Sequence, residues 1–118
     1  MSNKFFYNIK RSLNRAFGNR NTENTITVLD AKQMLRLNSN IILLDVRSVL
    51  EHNEKNIPGS VLIPLYELRQ KARNLLKDKE QVIIVYCKNG GRSERAVQTL
   101  KELGYTRAYS VEGGIEEW

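Results

Sequence analysis

Gln81-Val-Ile-Ile-Val-Tyr86 runs without a break into Cys87-Lys-Asn-Gly-Gly-Arg-Ser93, and a helical pattern then continues from Ser93 to Leu103, where Gly104 closes it. An apolar, β-branched run with no polar alternation fits a strand covered on both faces. Ile41-Ile-Leu-Leu-Asp-Val46 is a second run of the same kind. Around these two, Thr25 to Val28 reads as a short strand and Leu29 to Leu37 as a helix whose Leu29, Met34, Leu35 and Leu37 can face a core. Pro58-Gly59 marks a turn before a third short strand, Val61 to Ile63, and the segment Leu65 to Leu76 is helical in pattern after Pro64. Ala108 to Val111 gives a last strand before Gly113-Gly114. Strands alternating with helices predict an α/β domain, with a mainly parallel central sheet of about five strands flanked by helices on both faces.

With 118 residues the chain has room for one such domain and a short appendage. The net charge of +6 is unevenly placed: residues 1–22 hold Lys4, Lys10, Arg11, Arg15 and Arg20 and no acid, whereas residues 23–118 carry 14 basic and 13 acidic side chains. The basic excess belongs to the N-terminal arm, which argues against a nucleic-acid-binding domain. Within that arm Phe5, Phe6, Ile9, Leu13, Ala16 and Phe17 fall at helical spacing with the cations largely between them, and Gly18-Asn19 reads as a stop. Residues 1–22 are therefore expected to form a basic amphipathic arm. The expected alternatives are an arm that docks on the domain or stays partly disordered, and one that lies on an anionic membrane surface or in a partner's groove. Asn19 to Asn24 reads as a polar linker to a domain spanning residues 25–118. No apolar run reaches the ~20 residues that span a bilayer, so a cytoplasmic protein is expected, peripheral at the membrane if the arm binds there.

Cys87 is the sole cysteine, which excludes an internal disulfide and a zinc cluster of thiolates. No pair of metal ligands stands at zinc spacing and no cofactor motif is present, so neither a metal nor a cofactor is expected. His52, the only histidine, reads as a surface residue of a polar loop, and Met1 and Met34 form no cofactor box.

In an open parallel sheet, ligands bind beyond the carboxyl ends of the strands, which is where Cys87 falls. Gly90 and Gly91 allow the loop to curl so that successive amides point at one centre, and the following helix adds its free N–H groups and partial positive charge. Such a cradle favours an anion, and the nearest is the thiolate of Cys87 itself. Lys88 and Arg92 are the neighbouring cations: Arg92 offers a planar fork for an oxyanion or for the nucleophile, Lys88 a point charge, while Ser93 is placed to cap the helix. Against this stands the plainer reading of Cys87 as a small buried hydrophobe at a strand end. The Gly-Gly-Arg-Ser context favours the reactive reading.

From about residue 25 to the last residue, the chain resembles the rhodanese domain, the sulfurtransferase family, in its single-domain form. The residues that carry the likeness are Leu44-Asp-Val-Arg47, Glu51, Asn56-Ile-Pro-Gly-Ser60, Ile63-Pro64, the loop Cys87-Lys-Asn-Gly-Gly-Arg-Ser93 and Val111-Glu-Gly-Gly-Ile-Glu-Glu-Trp118. The resemblance implies that Cys87 attacks the sulfane sulfur of thiosulfate or a persulfide, holds it as a persulfide, and yields it to a thiol, a protein or cyanide. It further implies that the loop Lys88, Asn89, Gly90, Gly91, Arg92 and Ser93 forms the substrate-binding cradle, its amides stabilising the thiolate and persulfide and Arg92 and Lys88 binding the anionic donor, and that Asp45 and Arg47 brace the region near the loop. In the family pattern the arginine is sixth, counting the cysteine as first, as Arg92 is. Cysteine phosphatases and arsenate reductases use a loop one residue longer, which disfavours that reading. A sulfur-carrier or docking module with little turnover on small donors is the main alternative. The chain departs from the pattern at Lys55-Asn56, where relatives have Gly-His; Asn56 is expected to replace part of that histidine's hydrogen bonding.

Overall fold

The computed structural model describes residues 24–118; the arm expected at residues 1–22 lies outside them. Five strands, β1 (Thr25–Ile26), β2 (Ile42–Asp45), β3 (Val61–Leu62), β4 (Ile83–Tyr86) and β5 (Ala108–Val111), form one sheet in the order β1-β5-β4-β2-β3, every neighbouring pair parallel. Five helices accompany them among the described residues: α1 (Val28–Leu37), α2 (Val49–Glu54), α3 (Leu65–Leu75), α4 (Gly91–Glu102) and α5 (Gly114–Glu117).

The two apolar runs become the central strands, and side-chain alternation sends their residues to opposite sides. Ile83, Val85 and Cys87 join Leu44, Val46 and Ile63 under Leu68 and Ala72 of α3 and Ala96, Val97 and Leu100 of α4. Ile84, Tyr86, Leu43, Tyr109 and Val111 pack on the other face with Ala31 and Met34 of α1 and with Ile57. Both faces of β4 are thereby sealed, which is why it needs no polar alternation. Cys87, the first residue beyond β4, emerges on the α4 side.

Three local features depart from the sequence expectation, the first being that Leu29 and Leu37 of α1 are exposed rather than turned to the core, which that helix meets through Ala31 and Met34. Helix α4 begins at Gly91 with Gly90 as its N-cap at φ +116°, so Ser93 is inside the first turn rather than the cap. The left-handed residue lets the chain turn from the loop directly into the helix, at an angle a β-carbon would resist. Helix α2 arises where no apolar periodicity announces one, because it buries none of its residues. It is held instead by a capping box, in which the Ser48 hydroxyl accepts from the Glu51 amide at 3.1 Å and the Glu51 carboxylate accepts from the Ser48 amide at 3.0 Å.

Candidate active site

The loop after β4 curls around the sulfur of Cys87, a residue with no solvent exposure. The Gly90 amide donates to Sγ at 3.0 Å, and Ser93 Oγ lies 3.6 Å from it. Burial pushes the thiol up, but hydrogen bonds from the Ser93 hydroxyl and from the amides of Ser93, Gly90 and Asn89 outweigh it, and the thiol ionises below its ordinary value. The cysteine is therefore both buried and activated, and its burial alone does not make it inert.

The carbonyls of this loop are tied down by the end of the chain. Ile115 N donates to Cys87 O at 2.9 Å and Glu116 N to Lys88 O at 3.2 Å. Gly113 and Gly114, at φ +78° and +63°, bring the first turn of α5 flat against the loop. The paired glycines that follow β5 in the sequence thus form the floor of the cradle.

Arg92 is not an unengaged fork waiting for an oxyanion, as its place in the loop suggests. Its Nη1 and Nη2 donate to Oε1 and Oε2 of Glu51 at 2.7 and 2.9 Å. The residue that closes the capping box of α2 thus also aims the arginine, and a side chain 41 positions away fixes one wall of the site. The hydrogen bonds from Arg92 lead the effects that hold the Glu51 carboxyl down to about 2, and the same pairing raises Arg92. Because the folded value lies below the ordinary glutamate value of about 4.3, the pair stabilises the fold fully above that pH and less as pH falls towards 2. Glu51→Gln is expected to cost about 1 kcal/mol at pH 7, the modest figure for a partly exposed pair. In denaturant titrations the gap between variant and wild type should narrow below about pH 4.3; a gap unchanged at pH 2.5 would disprove the assignment.

Behind the loop, Asp45 is fully buried and fully used. Its Oδ1 accepts from the Arg47 amide at 2.9 Å and from Nε at 3.0 Å, and its Oδ2 accepts from Arg47 Nη2 at 2.8 Å and Tyr86 Oη at 3.0 Å. Arg47 Nη2 also donates to Lys55 O at 2.7 Å, and Tyr86 Oη accepts from the Ile57 amide at 3.1 Å. This network pins the segment after α2 to the ends of β2 and β4; the hydrogen bonds of Asp45 and Arg47 go to that segment and to Tyr86 rather than to residues 88–93 of the loop. A buried charge pair is tolerable only with its remaining donors and acceptors satisfied, as these are.

Two expectations are corrected here. His52 is not a detached surface residue: its Nδ1 lies 2.9 Å from Asp45 Oδ2, which assigns the proton to Nδ1. Asn56 does not enter the network, because its amide donates outward to His52 O at 2.9 Å and the residue is exposed. Lys88 and Asn89 are both exposed at the rim, and among the described residues no cluster of three or more His, Cys, Asp or Glu side chains could hold a metal.

A buried, activated cysteine at the carboxyl end of a central parallel strand narrows the families to consider, and the family model for the rhodanese-like domain matches residues 27–118. The chain belongs to the rhodanese-like domain family. Among its relatives, YrkF of Bacillus subtilis, named provisionally as a sulfur carrier protein, is 34% identical over 115 residues, 93% of this chain and 61% of its own length. This chain thus spans about three fifths of that protein. The thiosulfate sulfurtransferase PspE of Escherichia coli is 31% identical over 74 residues, 63% of this chain and 70% of its own. The human single-domain sulfurtransferase TSTD1 superposes with a TM-score of 0.73 at 28% identity, covering 80% of this chain and 94% of its own. The rhodanese-like fold thus accounts for the α/β layers, and sulfur transfer is the chemistry these relatives are named for.

The sequence reading lacked three contributors to the site: Tyr86, hidden as one more aromatic in a strand; Ser110 on β5; and the role of Glu51. Only the last has a local signal, the Ser48-x-x-Glu51 box.

Proposed function

We propose that this rhodanese-like domain is a sulfurtransferase that carries sulfane sulfur on Cys87. The thiolate attacks the outer sulfur of thiosulfate or of a persulfide, a Cys87 S–S bond forms, and sulfite or a thiolate departs with the electron pair of the broken bond. An acceptor thiolate or cyanide then attacks the terminal sulfur and the electron pair returns to Cys87, so each half-reaction balances without an external oxidant or reductant. The observation that carries this reading is the buried sulfur receiving the Gly90 amide with the Ser93 hydroxyl beside it. Arg92, oriented by Glu51, and the more exposed Lys88 attract the anionic donor. Incubation with thiosulfate should add the mass of one sulfur atom to the intact protein, and a small thiol should then remove it. Protein that stays unmodified by both thiosulfate and an organic persulfide would refute the proposal.

The carrier or docking reading draws support from the surface beside the loop. An open pocket of about 390 Å³ is lined by Val46, Pro64, Leu65, Tyr66, Arg92 and Arg95, and Leu50 and Tyr66 are 68% and 79% exposed. Apolar side chains and cations around the mouth suit a protein acceptor better than cyanide. Residues 1–22 supply a second means of association. Their deletion should leave sulfur loading by thiosulfate intact and abolish binding to anionic liposomes or to the partner; association that survives deletion would remove the arm from the account.

A further inference from the structure

Ser110 lies on β5, outside the loop, with 1% of its surface exposed, yet it carries a hydroxyl where its strand neighbours Tyr109 and Val111 are core residues. Ser110 is in register with Val85 of β4, and residues two apart on a strand share a face, so Ser110 points to the same side as Cys87. Its Oγ is 2.6 Å from Ser93 Oγ, which lies 3.6 Å from Cys87 Sγ. Three groups therefore stand in line: Ser110 hydroxyl, Ser93 hydroxyl, sulfur.

The proton count shows what the third member does. Ser93 has one proton and three neighbours that could take it: Gly90 O at 3.0 Å, Ser110 Oγ and the sulfur. While Cys87 is a thiol, its S–H donates to Ser93 Oγ and Ser93 donates to Gly90 O. Once the sulfur is ionised, it can only accept. Gly90 O does not need the Ser93 proton, because the Glu94 amide already donates to it at 3.1 Å. The Ser93 hydroxyl is then released to donate to sulfur, provided that its own oxygen receives a proton from elsewhere and that no neighbour competes for the one it gives. Ser110 meets both conditions by donating to Ser93 Oγ, and a hydroxyl that accepts a bond donates more strongly in turn.

We infer that Ser110 is a positioning residue for the nucleophile, holding the Ser93 hydroxyl so that it donates to the Cys87 sulfur in its anionic form. The inference takes Cys87 as the nucleophile, as proposed above, but its test needs no sulfur transfer. The rate of Cys87 alkylation by iodoacetamide is measured against pH for the wild type, Ser110→Ala, Ser93→Ala and the double variant, with melting temperatures alongside. Ser110→Ala should move the titration midpoint to higher pH and lower the rate at pH 7 about three- to tenfold, the range set by one net hydrogen bond. In the Ser93→Ala background the same substitution should move the midpoint no further, although any loss of melting temperature from the buried hydroxyl would persist. A wild-type midpoint in Ser110→Ala, or equal shifts with and without Ser93, would overturn the inference. A failed sulfur-loading assay would leave these titrations unaffected, so the two readings fail separately.

Discussion

Cys87→Ser is expected to abolish sulfur loading while leaving the fold in place. The serine hydroxyl can accept the Gly90 amide that Sγ accepts at 3.0 Å and remain beside Ser93, so no buried donor is orphaned. The cost to stability should stay within about 1–2 kcal/mol, as for a small volume change at a packed site. The chemistry does not survive. A hydroxyl is far less acidic than a thiol, its oxygen is a poor nucleophile towards sulfane sulfur, and the cradle lowers an ionisation it cannot bring into range. Sulfur loading should fall by at least ~10³-fold, equivalent to about 4 kcal/mol of barrier. Intact mass after incubation with thiosulfate checks loading, and denaturant titration checks the fold. Loading of the serine variant at the wild-type rate would place the nucleophile elsewhere, although Cys87 is the chain's only thiol.

The sheet was legible because its two central strands are covered on both faces, so β4 is written as an uninterrupted apolar run and β2 as one broken only by Asp45. The place of Cys87 followed from the same fact, since a parallel strand delivers the next residue to its carboxyl edge. What escaped was built from contacts between distant elements. Helix α2 has no apolar stripe because it buries no residue; it is held by its capping box and by polar contacts from Glu51 to Arg92 and from His52 to Asp45. Arg92 looks like an unengaged donor fork in one dimension; only folding brings Glu51 to it. Tyr86 looks like core and is core, but its hydroxyl reaches Asp45 and the Ile57 amide. In each case the residue type was visible and its partner was not. The polar contacts around the loop join residues far apart in the chain, whereas Cys87 and the Gly90 amide that donates to it lie within one short stretch.

Gly114→Ala should disable the site from outside it. At φ +63° an alanine is strained but attainable, at about 1 kcal/mol. Space is the larger obstacle. A β-carbon at Gly114 would stand 2.4 Å from Lys88 O and 2.5 Å from Cys87 O, where no rotamer change can relieve the overlap because both are backbone atoms. Either α5 or the active loop must move by something approaching an ångström. If α5 moves, Ile115 N and Glu116 N lose their hold on those two carbonyls. If the loop moves, the Gly90 amide loses its aim at the sulfur. A displacement of that size near reacting atoms costs about a hundredfold in rate, and forced overpacking costs about 1–3 kcal/mol in stability. Gly59→Ala is the control: its φ of +86° is at least as unfavourable for a side chain as that of Gly114, but nothing lies within 4 Å of the added carbon. It should lose about 1 kcal/mol and keep its rate of sulfur loading. Measured where both variants remain folded, equal loading rates for the two would show that the contact between α5 and the loop does not shape the cradle; a large deficit confined to Gly114→Ala would show that the floor of the site is set by the close approach of these two backbones.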